Sequence, residues 1–212
     1  MAQGSAAIAI PPTAAPTSDL DLYLATVKID WNAYPPLKYI PETRTKLIGW
    51  IYKVKAEMHL PTECVFRAMW IYDRFLAKKQ VCQSFVQLAA IVSINIALKF
   101  DTGSRFQLCT MHKLCAGAYT RQHIVNMEKD ILRQIEYRIA TDTAYTWLLH
   151  FCDALHLSEE NTHSATHLLI QHMSGDTFTT LPAIYSAFSV VRDLFSDYAD
   201  VAKLHTTIKK FI

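Results

Sequence analysis

Apolar residues along this chain recur at alternating three- and four-residue steps, and the clearest run is Leu47, Trp50, Ile51 and Val54. That spacing places them on one stripe of a helix and predicts a helix over residues 42–58. Pro61 and Thr62 open a second helix, in which Val65, Met69, Ile71, Tyr72 and Leu76 supply the apolar face. Residues 84–100 are hydrophobic nearly all round, the pattern of a helix enclosed by others, so this helix is expected at the centre. A short helix over 106–114 follows. Thr120 then caps a long one reaching about residue 137, with Ile124, Met127, Ile131, Leu132 and Ile135 facing inward.

Upstream, Ser18 is placed to cap a short helix over 19–29, with Leu20, Tyr23, Leu24 and Val27 on one face. Pro35, Pro36 and Pro41 make residues 31–41 an extended connector, and the Ala- and Pro-rich residues 1–18 read as a flexible tail. After Thr141-Asp142-Thr143 the helical pattern restarts over 144–155, 159–173 and 181–195, and a weaker segment covers 199–211. The expected organisation is therefore a tail (1–18), an N-terminal helix with its connector (19–41), a five-helix unit (42–141) and a shorter helical unit (142–212). No residue-level repeat relates the two units.

Composition narrows the picture. A 212-residue chain that is 51% hydrophobic can fill a core, and 5 Gly with 8 Pro are too few breakers for a turn-rich β fold, so the class is all-α. The formal charge of +2 lacks the concentrated basic footprint of a nucleic-acid binder, so neither DNA nor RNA is expected as a partner. Five cysteines without a C-x-x-C pair argue against a disulfide framework and for a reducing compartment. The longest apolar run, residues 88–98, is about half the roughly 20 residues of a membrane span, so no membrane is expected. Residues 1–18 contain no Lys or Arg to form the n-region of a signal peptide.

Catalytic signatures are missing. There is no G-x-S-x-G, Walker A loop, dinucleotide glycine pattern or H-E-x-x-H. His163 and His167 stand at i, i+4 with His172 beyond, a spacing that can present two metal ligands, but no neighbouring Cys or carboxylate completes a set. Cys109 and Cys115 have no positioned base. Neither a catalytic residue nor a metal nor any other cofactor is expected. The charges that stand out are Arg44, Asp73, Lys99 and Glu128, at the edges of apolar helices, where a charge must be paired or aimed at a partner.

Their contexts resemble the cyclin family. Arg44-Thr45-Lys46-Leu47-Ile48-Gly49-Trp50 is similar to R-x-x-L-x-x-W, and Ile71-Tyr72-Asp73-Arg74-Phe75-Leu76 to Y-I-D-R-F-L. Gln87-Leu88 and Ala97-Leu98-Lys99-Phe100-Asp101 fall where cyclins have Q-L and A-S-K-F-E. Tyr119-Thr120 and Met127-Glu128-Lys129-Asp130-Ile131-Leu132 match Y-T and M-E-x-x-I-L. The resemblance covers residues 42–139 and extends more weakly to the N-terminal helix and to 143–195. It implies a five-helix cyclin box followed by a second, shorter cyclin-like unit. The strings Lys78-Lys79-Gln80 and Ala140-Thr141-Asp142 are similar to cyclins of gammaherpesviruses.

The resemblance implies roles. Arg44 and Asp73 would form a structural ion pair, with Leu88 and Trp50 in the core. Lys99 and Glu128, with apolar contacts from Phe100, Ile124 and the N-terminal helix, would hold the regulatory helix of a cyclin-dependent kinase in a heterodimer. The chain would then be a non-catalytic activator, meeting protein substrates through the kinase, in the nucleus, the cytoplasm or both. In the substrate-docking patch, formed here by Arg44, Lys46, Leu47, Trp50, Lys53 and Gln87, lysines and Gly49 replace apolar and acidic positions, so a basic docking peptide would be repelled. A cyclin-fold transcription factor of the transcription factor IIB type is the alternative, and a helical metalloenzyme built on His163 and His167 a third reading.

Overall fold

In the computed structural model, residues 41–175, 178–179 and 181–211 are described, and among them every regular element is helical. The tail, the helix expected over 19–29 and nearly all of the connector lie outside the described residues. Five helices come first: α1 (Pro41–Met58), α2 (Thr62–Lys78), α3 (Val86–Thr102), α4 (Leu108–Leu114) and α5 (Arg121–Gln134). A shorter group follows: α6 (Ala144–Ala154), α7 (Glu159–His172), α8 (Ala183–Phe195) and α9 (Ala199–Phe211).

Helix α3 sits at the centre of the first group, packed against α1, α2 and α5. Every residue from Leu88 to Leu98 is buried, including Ser93 and Asn95, whose side-chain oxygens find local partners. Ser93 Oγ donates to the Ala89 carbonyl, and Asn95 Oδ1 accepts the Phe106 N–H at 2.9 Å. Each fully buried Leu or Ile here contributes about 1.5–3 kcal/mol of apolar burial, so a charge at Ile91 or Ile94 would break the unit. With the preceding 3-10 turn, the stretch Gln83–Thr102 is 20 residues long and, by length and composition alone, apolar enough to cross a membrane. The apolar stretch is thus longer than the run read over residues 88–98, and the burial of its middle by neighbouring helices accounts for its apolar character.

Local chemistry explains the shifted boundaries. Ser84 and Phe85, expected to start the central helix, belong to a 3-10 turn over Gln83–Phe85, held by the Phe85 N–H on the Cys82 carbonyl at 2.8 Å. Thr120 caps α5 by a reciprocal capping box with His123. The helix stops at Gln134, short of residue 137, because Glu136 (φ 56) and Tyr137 (φ 57) adopt left-handed backbone. Those two residues turn the chain back along α2 toward α6, whose Thr143 cap starts the second group. There α8 takes the central place, packed against α6, α7 and α9.

Candidate functional site

Lys99 lies in the last turn of α3, and Gly103 (φ 70) closes that turn by donating its N–H to the Lys99 carbonyl at 3.2 Å. Only a residue that tolerates left-handed backbone ends the helix there without strain, which fixes where Lys99 and Phe100 emerge. Glu128 projects from α5, and Lys99 Nζ meets Glu128 Oε1 at 2.5 Å. Both side chains keep a partial exposure, 37% and 26%. The pair is therefore preformed and wet, with donor and acceptor capacity left for a partner. Phe100 beside it is 47% exposed, a large ring presented to solvent. Ile124, expected to contact a partner directly, is instead only 3% exposed. It forms part of the floor of a cavity of about 410 Å³ whose wall includes Lys99 and Glu128.

Behind Phe100 stands a residue that motif reading passed over. Arg67, on α2, is buried, and its Nε donates to Asp101 Oδ1 at 2.6 Å while NH2 donates to Glu63 Oε1 at 2.9 Å. Its NH1 donates to the carbonyls of Ile139 (3.1 Å) and Thr141 (2.8 Å), and the guanidinium lies 4.8 Å from the Phe100 ring centroid. One side chain thus ties α2, the end of α3, the linker between the two helical groups and the exposed ring. Glu63 extends the network, accepting from the hydroxyls of Thr143 and Thr146 at 3.0 Å each. Burial raises the Glu63 carboxyl above its ordinary range, against the opposing pull of Arg67 and the two threonines. The signal was present in the sequence, an arginine four residues after Glu63 inside the apolar string Cys64–Met69.

Arg44 and Asp73 are brought together. Arg44 Nε and NH2 donate to the two carboxylate oxygens of Asp73 at 3.2 and 2.8 Å, a two-pronged contact, and Arg44 itself is 4% exposed. Its NH1 also donates to the carbonyl of Met173, so the pair reaches across to the end of α7. Leu88 is fully buried, whereas Trp50, expected in the core, is half-buried and packs against its edge. Of the docking-patch residues, Lys46 and Lys53 are exposed, Gln87 is half-buried, and Leu47 and Arg44 are buried. Thr43, Tyr72, Leu76, Lys78, Lys79 and Val86 help line a separate cavity of about 350 Å³ near the start of α3.

His163 and His167 are exposed on α7, and among the described residues no three His, Cys, Asp or Glu side chains gather as a metal set. Burial raises the thiols of Cys64 to about 12 and Cys115 to about 11, the behaviour of packed, unreactive cysteines.

A family model described as the cyclin N-terminal domain matches residues 33–140. Among curated proteins, Cyclin-B1-5 of Oryza sativa subsp. japonica is 32% identical over 114 residues, 54% of this chain and 25% of that protein. Cyclin-A3-3 of Arabidopsis thaliana is 29% identical over 142 residues, 63% of this chain and 43% of that protein. The chain thus spans from a quarter to less than half of these relatives' lengths. Among solved structures, a viral cyclin from herpesvirus saimiri superposes with a TM-score of 0.63 at 19% identity, covering 91% of this chain and 93% of that one. A chain of the yeast RNA Pol II CTD kinase CTDK-1 complex superposes with a TM-score of 0.58 at 9% identity, covering 86% and 62%. At these identities the structural likenesses establish the fold.

Proposed function

The chain belongs to the cyclin family, and from that premise we propose that it is a regulatory subunit that binds and activates a cyclin-dependent kinase without catalysing a reaction itself. The observation that carries this reading is the juxtaposition, on one face, of the half-exposed Lys99–Glu128 pair and the exposed Phe100 ring. A lysine keeps spare N–H donors after one ion pair, and a carboxylate keeps spare lone pairs. Together they suit the backbone carbonyls and amides at the end of a kinase's regulatory helix, while Phe100 supplies apolar area beside them.

Activation then follows from differential affinity. The kinase alone samples conformations in which its regulatory helix is rotated away and its catalytic Lys-Glu pair is broken. A partner that binds only the closed arrangement shifts the population toward it. The interface would be of the obligate class, above about 2,000 Å² in total. Substrates are met through the kinase, in the nucleus, the cytoplasm or both.

The test is to mix the purified chain with a panel of monomeric cyclin-dependent kinases and follow complex formation on gel filtration together with phosphorylation of a generic substrate. At least one kinase should co-elute and gain activity, and Lys99→Ala or Glu128→Ala should lose about 2–5 kcal/mol of binding with the melting temperature retained. Absence of both complex and activation across the panel would refute the reading, and wild-type affinity in both variants would remove Lys99 and Glu128 from it.

A further inference from the structure

The 410 Å³ cavity beside the Lys99–Glu128 pair is polar and its charges do not balance. Arg105 and Arg121 line it together with the paired Lys99 and Glu128. Both arginines are exposed, and among the described residues neither side chain has an ion pair or a hydrogen bond. With Lys99 and Glu128 cancelling, the cavity carries two uncompensated guanidinium groups at its rim. Such a concave, singly signed surface attracts anions and orients their approach.

Its inner wall adds a second, independent feature. Asn95 is 4% exposed and lines the cavity. Its Oδ1 is engaged by the Phe106 N–H, which settles the amide orientation and leaves the Nδ2 donors without a hydrogen bond among the described residues. That nitrogen is not among the buried polar atoms left without a partner, so it is open to the water of the cavity, which an entering acceptor can displace. The floor, with Ile124 and Met111, is apolar and would enclose the stem of the side chain that enters.

We propose that this cavity receives an acidic side chain, Asp or Glu, of the bound kinase, with Asn95 Nδ2 donating to the carboxylate and Arg105 and Arg121 supplying the countercharge. The proposal rests on the kinase-binding reading above and deepens it. The Lys99–Glu128 pair engages backbone and is indifferent to the partner's sequence, whereas this cavity reads one charge on the partner and so discriminates among kinases.

The experiment measures binding by calorimetry at low and high salt, using a kinase the panel shows to bind, untreated and after phosphatase treatment. The variants are Arg105→Glu with Arg121→Glu, Asn95→Asp, Lys99→Ala and Glu128→Ala. Asn95→Asp keeps the acceptor for the Phe106 N–H and replaces only the donor, and the two arginines are exposed, so the fold should survive all of these changes. The arginine reversal should weaken binding about tenfold or more and flatten its salt dependence, Asn95→Asp should weaken it in the same direction, and reversing one acidic residue on the kinase to Lys should restore affinity for the reversed variant. If Lys99→Ala and Glu128→Ala weaken binding while the arginine reversal and Asn95→Asp match wild type, the kinase reading stands and the cavity proposal is overturned. If the arginine-dependent part vanishes on phosphatase treatment, the occupant is a phosphate and the carboxylate assignment is overturned. If no kinase binds the wild-type chain, both fall together.

Discussion

Replacing Arg67 with Met keeps most of the side-chain volume and removes the cation that joins two carboxylates, two backbone carbonyls and the Phe100 ring. The Asp101 side chain is 10% exposed and Glu63 24%, so both are left facing a largely dry space without a countercharge. Breaking a buried pair by removing one partner costs about 3–5 kcal/mol, and the Glu63 share is smaller because water reaches that carboxylate. The carbonyls of Ile139 and Thr141 lose a charged donor as well, a loss that overlaps with the first and does not simply add. A total of about 4 kcal/mol, at roughly 2–4 °C per kcal/mol for a chain of this size, corresponds to a fall in melting temperature of roughly 8–16 °C. Arg67→Lys, which preserves charge but offers one head in place of a fork, should recover less than half of it. The deficit should also shrink as pH falls through the carboxylate range, since protonating Glu63, whose carboxyl burial already raises, removes part of the repulsion that Arg67 had cancelled. Calorimetry or dye-monitored melting across that range is the assay. A melting temperature within about 2 °C of wild type, or a deficit that does not change with pH, would refute the hub assigned to Arg67.

Asp73→Ala takes the carboxylate from the buried Arg44 and should cost about 3–5 kcal/mol, with an unchanged urea midpoint as the contrary result. Burial holds the Glu63 carboxyl above its unfolded value, so its contribution to stability is complete below the ordinary carboxylate range and lost as pH rises through the raised folded value. Urea titrations of wild type and Glu63→Gln should therefore diverge in favour of the variant as pH rises from about 4 to 7, and a flat difference would contradict the shift. Basic R-x-L peptides should bind the chain poorly, because the exposed Lys46 and Lys53 repel them by about 1 kcal/mol per close pair. Fluorescence titration gives the answer: micromolar affinity for wild type counts against this, and rescue by Lys46→Ile with Lys53→Glu supports it.

The helices were legible because their apolar stripes are long and their caps conventional, as at Thr120 and Thr143. Where periodicity misled, a backbone preference had won over it. Ile135 and Tyr137 continue the apolar stripe of α5, yet the helix ends at Gln134 because Glu136 and Tyr137 turn left-handed, and no glycine signals this. Trp50 lies on the same stripe as Ile51 but is too large for α1 to bury fully at the edge of the unit. Lys99 and Glu128 stand out in the sequence by their contexts, and their mutual ion pair follows from the crossing of α3 and α5, which spacing along one helix cannot supply. Arg67 was missed for the same reason. Its partners lie 34, 72 and 74 residues away, and only the i, i+4 pair with Glu63 is visible in one dimension. The cavity by Asn95 depends on where the Phe106 N–H points, a detail of a loop that no pattern encodes.

The bond from Arg44 to the Met173 carbonyl spans 129 residues, and that distance has a meaning during synthesis on the ribosome. Arg44 emerges early, and its partner Asp73 follows 29 residues later. Met173 leaves the ribosome well after the acceptors of Arg67 at Ile139 and Thr141, later by roughly 2–6 s at about 5–20 residues per second. For that interval the contact between Arg44 and Met173 cannot form, because its acceptor does not yet exist outside the ribosome. The first helical group is therefore a platform with an open latch, which the end of α7 fastens when it arrives.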